Sequence, residues 1–182
     1  MPTTSSSLRP SSKPTNRPSP SPTKGSIADL IAHFPFNGNA NDESGYGHNG
    51  TVYGATLTTD RFGNSNQAYH FSTSSYIQLL DNSVLYIGTN DYTISAWVKL
   101  ERYAEMRIYS HGSIFCGDAN VVPGYMLRTT SSNQIHQELT CTDSGYCGLS
   151  ANQGSSLSLN TWYHVTNTVQ RGGYGIIYIN GI

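Results

Sequence analysis

The chain has 182 residues, of which 36% are hydrophobic and only 12% are charged. This length suits one domain with a tail, and a composition rich in Gly, Ser, Thr, Asn and Tyr favours an all-β extracellular protein over a helical cytosolic one. The apolar clusters are far shorter than the roughly 20 residues that cross a bilayer, so we expect no membrane span. The start lacks the apolar core of a secretory signal peptide, so any signal was removed, lies outside this chain or never existed.

Residues 1–26 are predicted to form a disordered linker rich in Pro, Ser and Thr. Proline fixes φ and removes a backbone donor, and the segment has almost no apolar side chain to bury. Tracts of this composition are often O-glycosylated stalks between extracellular domains. A transit peptide is the alternative, but the six prolines of the segment oppose the amphipathic helix that such a peptide requires.

Charge is divided unevenly along the chain. Four of the ten basic residues precede Asp29, so the rest of the chain carries six basic and eleven acidic residues. A basic tail can indicate nucleic-acid binding, but four dispersed cations without interleaved aromatic residues make a poor binding strip. We therefore expect no nucleic-acid partner.

From Ile27 onward, short strand candidates alternate with turns rich in Gly and Asn. In chain order the predicted strands are LIAHFPF (30–36), TVYGATL (51–57), AYHF (68–71), SYIQLL (75–80), YTISAWVKL (92–100), MRIYSHGSIF (106–115), GYMLRTT (124–130), QIHQELT (134–140), TWYHVTNTVQ (161–170) and GIIYI (175–179). No stretch supports a long amphipathic helix. This pattern predicts an all-β sandwich or jelly roll.

Alternation within two of these strands predicts which side chains share a face. The strand that begins at Tyr92 has one face with Ile94, Ala96 and Val98 and another with Thr93, Ser95, Trp97 and Lys99. The strand around Trp162 alternates in the same way, with His164 on the face of Trp162. Because both tryptophans lie inside strand motifs, we interpret them as packing between sheets; stacking on a sugar face is the alternative.

Four motifs in this order resemble the laminin-G-like domains, of LamG or pentraxin type, in the concanavalin A-like lectin/glucanase superfamily. They are the stretch from Ala32 to Phe71, then YTISAWVKL, LSLNTWYHV (157–165) and YING (178–181). The resemblance implies a concanavalin A-like jelly-roll β-sandwich of two antiparallel sheets over residues 27–182. In such domains the YING turn precedes a returning strand, a connecting stretch and a closing strand, so we expect the domain to be truncated at its C-terminus.

Three residues are candidate ligands for a structural Ca²⁺. Asp42 lies in an oxygen-rich loop, FNGNANDESGYGHNG (36–50), where it either binds Ca²⁺ or caps backbone amides in an Asx-turn. Pentraxin-type domains carry calcium-binding acids on a loop comparable to residues 116–120. The resemblance therefore implies Asp118 and Asn120 as further candidates, with a solvated or capping role as the alternative.

Three cysteines, Cys116, Cys141 and Cys147, fall close together in sequence. We expect one disulfide formed in an oxidising compartment, with the third thiol free or in an intermolecular bond. Which pair closes cannot be read from the spacing. A zinc site is the weaker alternative, because it requires four ligands and closer pairing.

The predicted function is recognition without catalysis. The Glu-x-Asp-x-x-Glu strand pattern of glycan-hydrolysing jelly rolls is absent, and no Gly-x-Ser-x-Gly motif marks a nucleophile. Tyrosines on or near predicted loops are candidate ligand-binding platforms; among them we take Tyr46, Tyr103 and Tyr125.

The sequence thus predicts an extracellular or cell-surface module that binds a glycan or an extracellular protein, beside other domains of the same polypeptide. One alternative is a structural spacer domain of an adhesin or of a viral or phage fibre. Another is an accessory domain of a glycan-processing enzyme.

Overall fold

The computed structural model describes residues 30–80, 85, 90–112, 124–139, 150–152, 154–170 and 174–182. Ile31–Ile182 forms one compact unit. The described residues hold eleven β-strands and no α-helix, so the prediction of an all-β fold is confirmed. None of them belongs to a helix long and apolar enough to cross a membrane. The predicted linker, residues 1–26, lies outside the described residues.

The strands are short and follow the predicted order closely. They are β1 Gly50–Tyr53, β2 Thr56–Thr58, β3 Ala68–His70, β4 Tyr76–Leu79, β5 Tyr92–Lys99, β6 Arg107–His111, β7 Tyr125–Thr129, β8 Ile135–Leu139, β9 Ser150–Asn152, β10 Trp162–Val169 and β11 Gly175–Ile179. Within the described part of the chain they form four sheets, ordered β11-β10-β5, β6-β7-β8-β9, β1-β4 and β2-β3. Every strand pair in these sheets is antiparallel.

The longest pairing joins β5 to β10. It runs over eight residue pairs, from Lys99 opposite Trp162 to Tyr92 opposite Val169. Burial alternates along β5 as predicted, because every second side chain points toward the core. The inward positions of β10 include Val165 and Val169, which are almost completely buried.

The core lies between the three-stranded and the four-stranded sheets. Leu127 of β7, Ile135 of β8 and Val165 of β10 are the centre of one cluster and are at most 1% exposed. A second cluster extends this interface with Tyr125, Leu139 and Val169. Two antiparallel sheets that enclose a core between their inner faces are a β-sandwich, as the sequence predicted.

One predicted strand is wrong. Residues 30–36 contain no β-strand, because their backbone groups bond to the loop that follows. The His33 N–H donates to Asp42 Oδ1 (2.9 Å), and His33 O accepts from the Glu43 N–H (2.8 Å). The loop thereby satisfies the backbone groups that a neighbouring strand would otherwise have to satisfy.

Two further strands differ from the sequence prediction. The TVYGATL segment is broken at Gly54, whose φ of +68° is a left-handed conformation that separates β1 from β2. β9 was not predicted, yet it pairs with β8 at the edge of the four-stranded sheet. At three residues it is too short to show an alternating pattern.

Gly50 of β1 provides a test of this packing. A Cβ at Gly50 would lie 3.1 Å from Ala40 O and 3.2 Å from Ala40 Cβ, and it would also press on Ile77 Cγ2. We expect Gly50→Ala to lower the free energy of unfolding by roughly 1–3 kcal/mol, because the contact must open to admit the methyl group. Denaturant unfolding measures this change.

Gly154→Ala is the matched control, because no atom lies within 4 Å of a Cβ at Gly154. There the substitution should be neutral or stabilise the protein by up to about 1 kcal/mol. Equal destabilisation by both substitutions would contradict the packing of β1 against Ala40 and β4.

Candidate functional site

An open groove of about 460 Å³ lies on the outer face of the three-stranded sheet. It is lined by Trp97 of β5, Trp162 and His164 of β10, and the Asn180–Gly181 turn that follows β11. Trp97 is 44% exposed, although tryptophan is highly buried on average. A tryptophan ring held open to solvent is an unusual surface feature, and the ring of Trp162 beside it is half-buried; we take the groove as the candidate site.

The strand register places these rings side by side. His164 lies directly opposite Trp97, and Trp162 lies opposite Lys99. Side chains of directly opposed residues point to the same face, so the imidazole of His164 and the indole of Trp97 have ring centroids 5.1 Å apart. The same register sends their neighbours Val165 and Val98 into the core.

The turn after β11 closes one side of the groove. The Ile179 N–H donates to Ile182 O (2.9 Å), and the Ile182 N–H donates to Ile179 O (3.2 Å). Asn180 and Gly181 have φ values of +53° and +86°, as an Asn-Gly hairpin turn requires. Asn180 also ties this turn to β10, because its Oδ1 accepts from the His164 N–H (2.9 Å) and its N–H donates to His164 O (2.8 Å).

The loop between β2 and β3, residues 59–67, brings a cation to the groove. The guanidinium of Arg61 lies 4.4 Å from the ring centroid of Trp97 and 4.1 Å from that of Phe62. Asp60 holds the turn, because its Oδ1 accepts hydrogen bonds from the Phe62 N–H (2.8 Å) and the Asn64 N–H (2.9 Å). These hydrogen bonds hold the backbone on either side of the turn, and the guanidinium of Arg61 lies over an aromatic face.

A second cation approaches the other indole. Lys99 Nζ lies 5.4 Å from the ring centroid of Trp162. Within the described part of the chain, the side chains of Lys99 and Arg61 have neither an ion-pair partner nor a hydrogen-bond acceptor. The groove therefore combines two aromatic faces, an imidazole and two cations that have no counterion among the described residues.

A second cleft, of about 290 Å³, lies on the outer face of the four-stranded sheet and has a different character. Arg128 contacts Glu138 at 3.0 Å and Glu105 at 3.6 Å. His136 Nε2 lies 2.9 Å from the same oxygen of Glu138. Since these charges are already paired with one another, the cleft offers less to a ligand than the aromatic groove does.

The interpretation of Trp97 as a core residue is wrong, and that of Trp162 fails for the same reason. Both side chains point away from the core, on the face that also carries Lys99. The alternation in the sequence already gave this result, because Trp97 shares its face with polar Thr93 and Ser95. The core interpretation relied on the apolar character of tryptophan, which does not determine the face of the strand on which the residue lies.

The predicted tyrosine platforms lie elsewhere. Tyr46 and Tyr103 are 60% and 65% exposed, and neither lines the groove. Tyr125 is not an exposed platform: it lies in β7, is 8% exposed and donates a hydrogen bond to Leu85 O (3.1 Å). Burial raises the pKa of Tyr125 to about 12, so its hydroxyl stays neutral.

Asp42 is surrounded by hydrogen-bond donors. Its Oδ1 accepts from the backbone N–H groups of His33 and Ser44 (both 2.9 Å), and its Oδ2 accepts from Ser44 Oγ (2.7 Å) and the His48 N–H (3.0 Å). A carboxylate has about four lone-pair sites, and four donors engage them here. This donor set fits the capping alternative and does not fit a cation at Asp42, since the hydrogens of four donors point at the carboxylate.

The remaining predicted site residues cannot be placed. Asp118, Asn120 and the three cysteines lie outside the described residues. Within the described residues, no group of three or more His, Cys, Asp or Glu side chains could hold a metal ion. Calcium at residues 116–120 and the disulfide stay predictions.

Comparison with known proteins gives one family. A laminin G family model described as the concanavalin A-like lectin/glucanases superfamily matches residues 71–182, which is more than half of the chain. The match confirms the resemblance seen in the sequence, and it includes both strands that carry the tryptophans. No curated protein and no solved structure shows a significant match.

Asp42 gives a pH-dependent prediction. Burial by itself would raise the pKa of Asp42, but the hydrogen bonds from His33, Ser44 and His48 outweigh it and lower that pKa well below its ordinary value. The ionised group therefore stabilises the fold above about pH 4, and this contribution is lost as the pH falls toward the lower folded pKa. We expect Asp42→Asn to reduce the free energy of unfolding at pH 7 by roughly 1–3 kcal/mol, with a smaller difference at pH 3.

Urea unfolding at both pH values checks this expectation. Glu43→Gln is the matched control, because Glu43 is exposed and accepts a single side-chain hydrogen bond, from Asn37 Nδ2 (2.7 Å); its effect should be smaller. A difference for Asp42→Asn that is unchanged at pH 3 would contradict the role of the carboxylate. A calcium-dependent rise in stability that Asp42→Asn abolishes would restore the calcium alternative.

Proposed function

The chain belongs to the concanavalin A-like lectin/glucanase superfamily, and we propose that it is a non-catalytic recognition module that binds carbohydrate in the groove on its three-stranded sheet. The observation that carries this proposal is the pair of tryptophans, Trp97 and Trp162, that line the groove. The C–H face of a pyranose ring is apolar, and it packs well against an indole.

The polar groups around the rings suit a sugar. His164 and Asn180 bring ring nitrogens and a side-chain amide to the edge of the aromatic surface, and sugar hydroxyls both donate and accept hydrogen bonds. Gly181 leaves open space beside the rings, since no atom lies within 4 Å of a Cβ there. The groove therefore combines the aromatic surface that Arg61 and Lys99 leave uncovered with polar edges, and small-ligand sites generally combine apolar and polar groups in this way.

Two features support a role without catalysis. The described residues that line the groove include no carboxylate, whereas most glycoside hydrolases require a pair of them at the scissile bond. Glu105 and Glu138, in the second cleft, both contact Arg128, so these two carboxylates are already engaged in ion pairs within the protein.

The proposal extends to location and context. The composition and the Pro/Ser/Thr-rich residues 1–26 support an extracellular or cell-surface module that works beside other domains. Binding of a protein surface in the same groove is the alternative ligand class.

Intrinsic fluorescence provides a direct test, because the chain contains two tryptophans and both line the groove. Titration with a panel of oligosaccharides should change the emission for at least one class of sugar. Trp97→Ala should then weaken binding at least about tenfold, or about 1.4 kcal/mol, in calorimetry. Trp97→Phe should retain part of the affinity because it keeps an aromatic ring.

The matched controls are Tyr46→Ala and Tyr103→Ala, which remove exposed aromatic rings outside the groove. Both should leave the affinity unchanged, and a thermal melt of each variant checks that it is folded. Loss of binding in a tyrosine variant, with full binding in Trp97→Ala, would contradict the groove. Absence of any change across the sugars, with a protein ligand captured instead, would contradict carbohydrate binding.

A further inference from the structure

We propose, on the basis of the extracellular location included in the proposed function, that Asn49 is an acceptor for an N-linked glycan. Asn49, Gly50 and Thr51 form an Asn-x-Thr sequence, which is the acceptor pattern for N-glycosylation. No other asparagine of the 182-residue chain is followed at the second position by Ser or Thr. Because a three-residue pattern also arises by chance, the structure around it decides whether it can be used.

The packing of Gly50 directs both neighbouring side chains into solvent. Gly50 is the first residue of β1, and a Cβ there would lie 3.1 Å from Ala40 O and 3.2 Å from Ala40 Cβ, so this side of the segment faces protein. Successive side chains of an extended segment point to opposite sides. Asn49 and Thr51 are accordingly both exposed. The amide and the hydroxyl that the pattern requires are thus presented together on the open side.

The amide of Asn49 has its oxygen engaged and its nitrogen available. The oxygen Oδ1 accepts a hydrogen bond from the Asp42 N–H (2.9 Å). Because a backbone N–H can only donate, this contact fixes the orientation of the amide, and Nδ2 donates to no described residue. Asn37, in the same loop, differs in that its Nδ2 donates to Glu43 Oε1 (2.7 Å). N-glycosylation replaces one hydrogen of Nδ2 and leaves the oxygen unchanged, so the glycan is compatible with the Asp42 contact.

A structural role for Asn49 does not account for Thr51. Thr51 lies opposite Gln78 of β4, and its exposed hydroxyl has no hydrogen-bond partner among the described residues. A β-branched side chain suits an exposed strand position, but valine would serve the strand equally well. The hydroxyl is needed only by the acceptor pattern, and it therefore separates the two interpretations of this segment.

The transfer requires no oxidant or reductant. Asn49 Nδ2 forms a bond to the anomeric carbon of an oligosaccharide that is carried on a polyprenyl diphosphate. The bond from that carbon to the diphosphate oxygen breaks, and the diphosphate leaves with the electron pair. The amide nitrogen loses one proton to a base of the transferase. The lipid-linked oligosaccharide and the transferase are the co-reactants, and both belong to the membrane through which secreted chains pass.

Expression of the full chain behind a cleavable secretory signal in mammalian cells tests the proposal. Secreted and cell-associated chains are compared by mass spectrometry before and after treatment with peptide-N-glycosidase, which removes N-linked sugars and leaves aspartate. We expect the loss of the mass of one oligosaccharide and an aspartate at position 49. Removal should proceed without denaturant, because Asn49 is exposed. Sugars on Ser or Thr of residues 1–26 resist this enzyme and do not interfere.

Four variants assign the modification to the pattern. Asn49→Asp keeps an oxygen for the Asp42 N–H but removes the nitrogen, and Thr51→Val keeps the β-branched shape but removes the hydroxyl; both should abolish the loss of mass. Thr51→Ser keeps the hydroxyl and should retain the glycan. Asn41→Gln changes an exposed asparagine of the same loop outside the pattern and should have no effect. A thermal melt of each unglycosylated variant checks that it is folded.

The outcomes separate this modification from the proposed function. A chain with no enzyme-sensitive sugar in either fraction would overturn the proposal, and so would a sugar that persists in Thr51→Val. The groove is tested on unglycosylated protein by tryptophan fluorescence. An unmodified Asn49 would leave carbohydrate binding in place, and silence across the oligosaccharides would leave the modification of Asn49 in place.

Discussion

The eight-residue register between β5 and β10 is the constraint on which the groove depends. In an antiparallel pair every second side chain faces the core, so one register fixes both faces together. It directs Val98 and Val165 inward, where they pack in the main cluster, and it directs Trp97 and His164 outward. A slip of one residue would bury the indoles and expose the valines, so the energy of the core also maintains the geometry of the groove.

The other parts of the groove, the turn after β11 and the β2–β3 loop, belong to segments that are distant from β5 in sequence. The turn at Asn180 is anchored by two hydrogen bonds to the backbone of His164, which extends the β10–β11 ladder by one step. In the loop that carries Arg61, Asp60 accepts a hydrogen bond from the Phe62 N–H. The guanidinium of Arg61 contacts the ring of Trp97. His70, at the end of β3, also contacts Glu101, which lies just beyond β5 (3.2 Å). The groove surface is therefore formed jointly by the β5–β10 pair, the turn after β11 and the β2–β3 loop.

Much of the fold could be predicted from the sequence, because alternation and turn residues are local signals. The strands around Trp97 and Trp162 and the Asn180–Gly181 turn follow directly from such signals. The site could be predicted only in part. The outward orientation of Trp97 could be predicted from the polar residues on the same face of β5. The contact of Arg61 with Trp97 could not be predicted, because it depends on tertiary packing between segments far apart in sequence. Tyr125 was misplaced for the same reason, because its burial depends on β6 and β5 contacts such as Tyr109 and Tyr92.

NMR observation of the two indole Nε1–H signals tests most directly whether the outer face of this sheet binds sugar, since the chain has only two tryptophans and Trp97→Phe assigns them. On addition of a binding oligosaccharide, both indole signals and the amide signals of His164 and Asn180 should shift in proportion to occupancy. Signals from Leu127 and Ile135, in the core, should change little. Unmoved indole signals together with shifts around Tyr46 or Tyr103 would contradict the groove as the binding site.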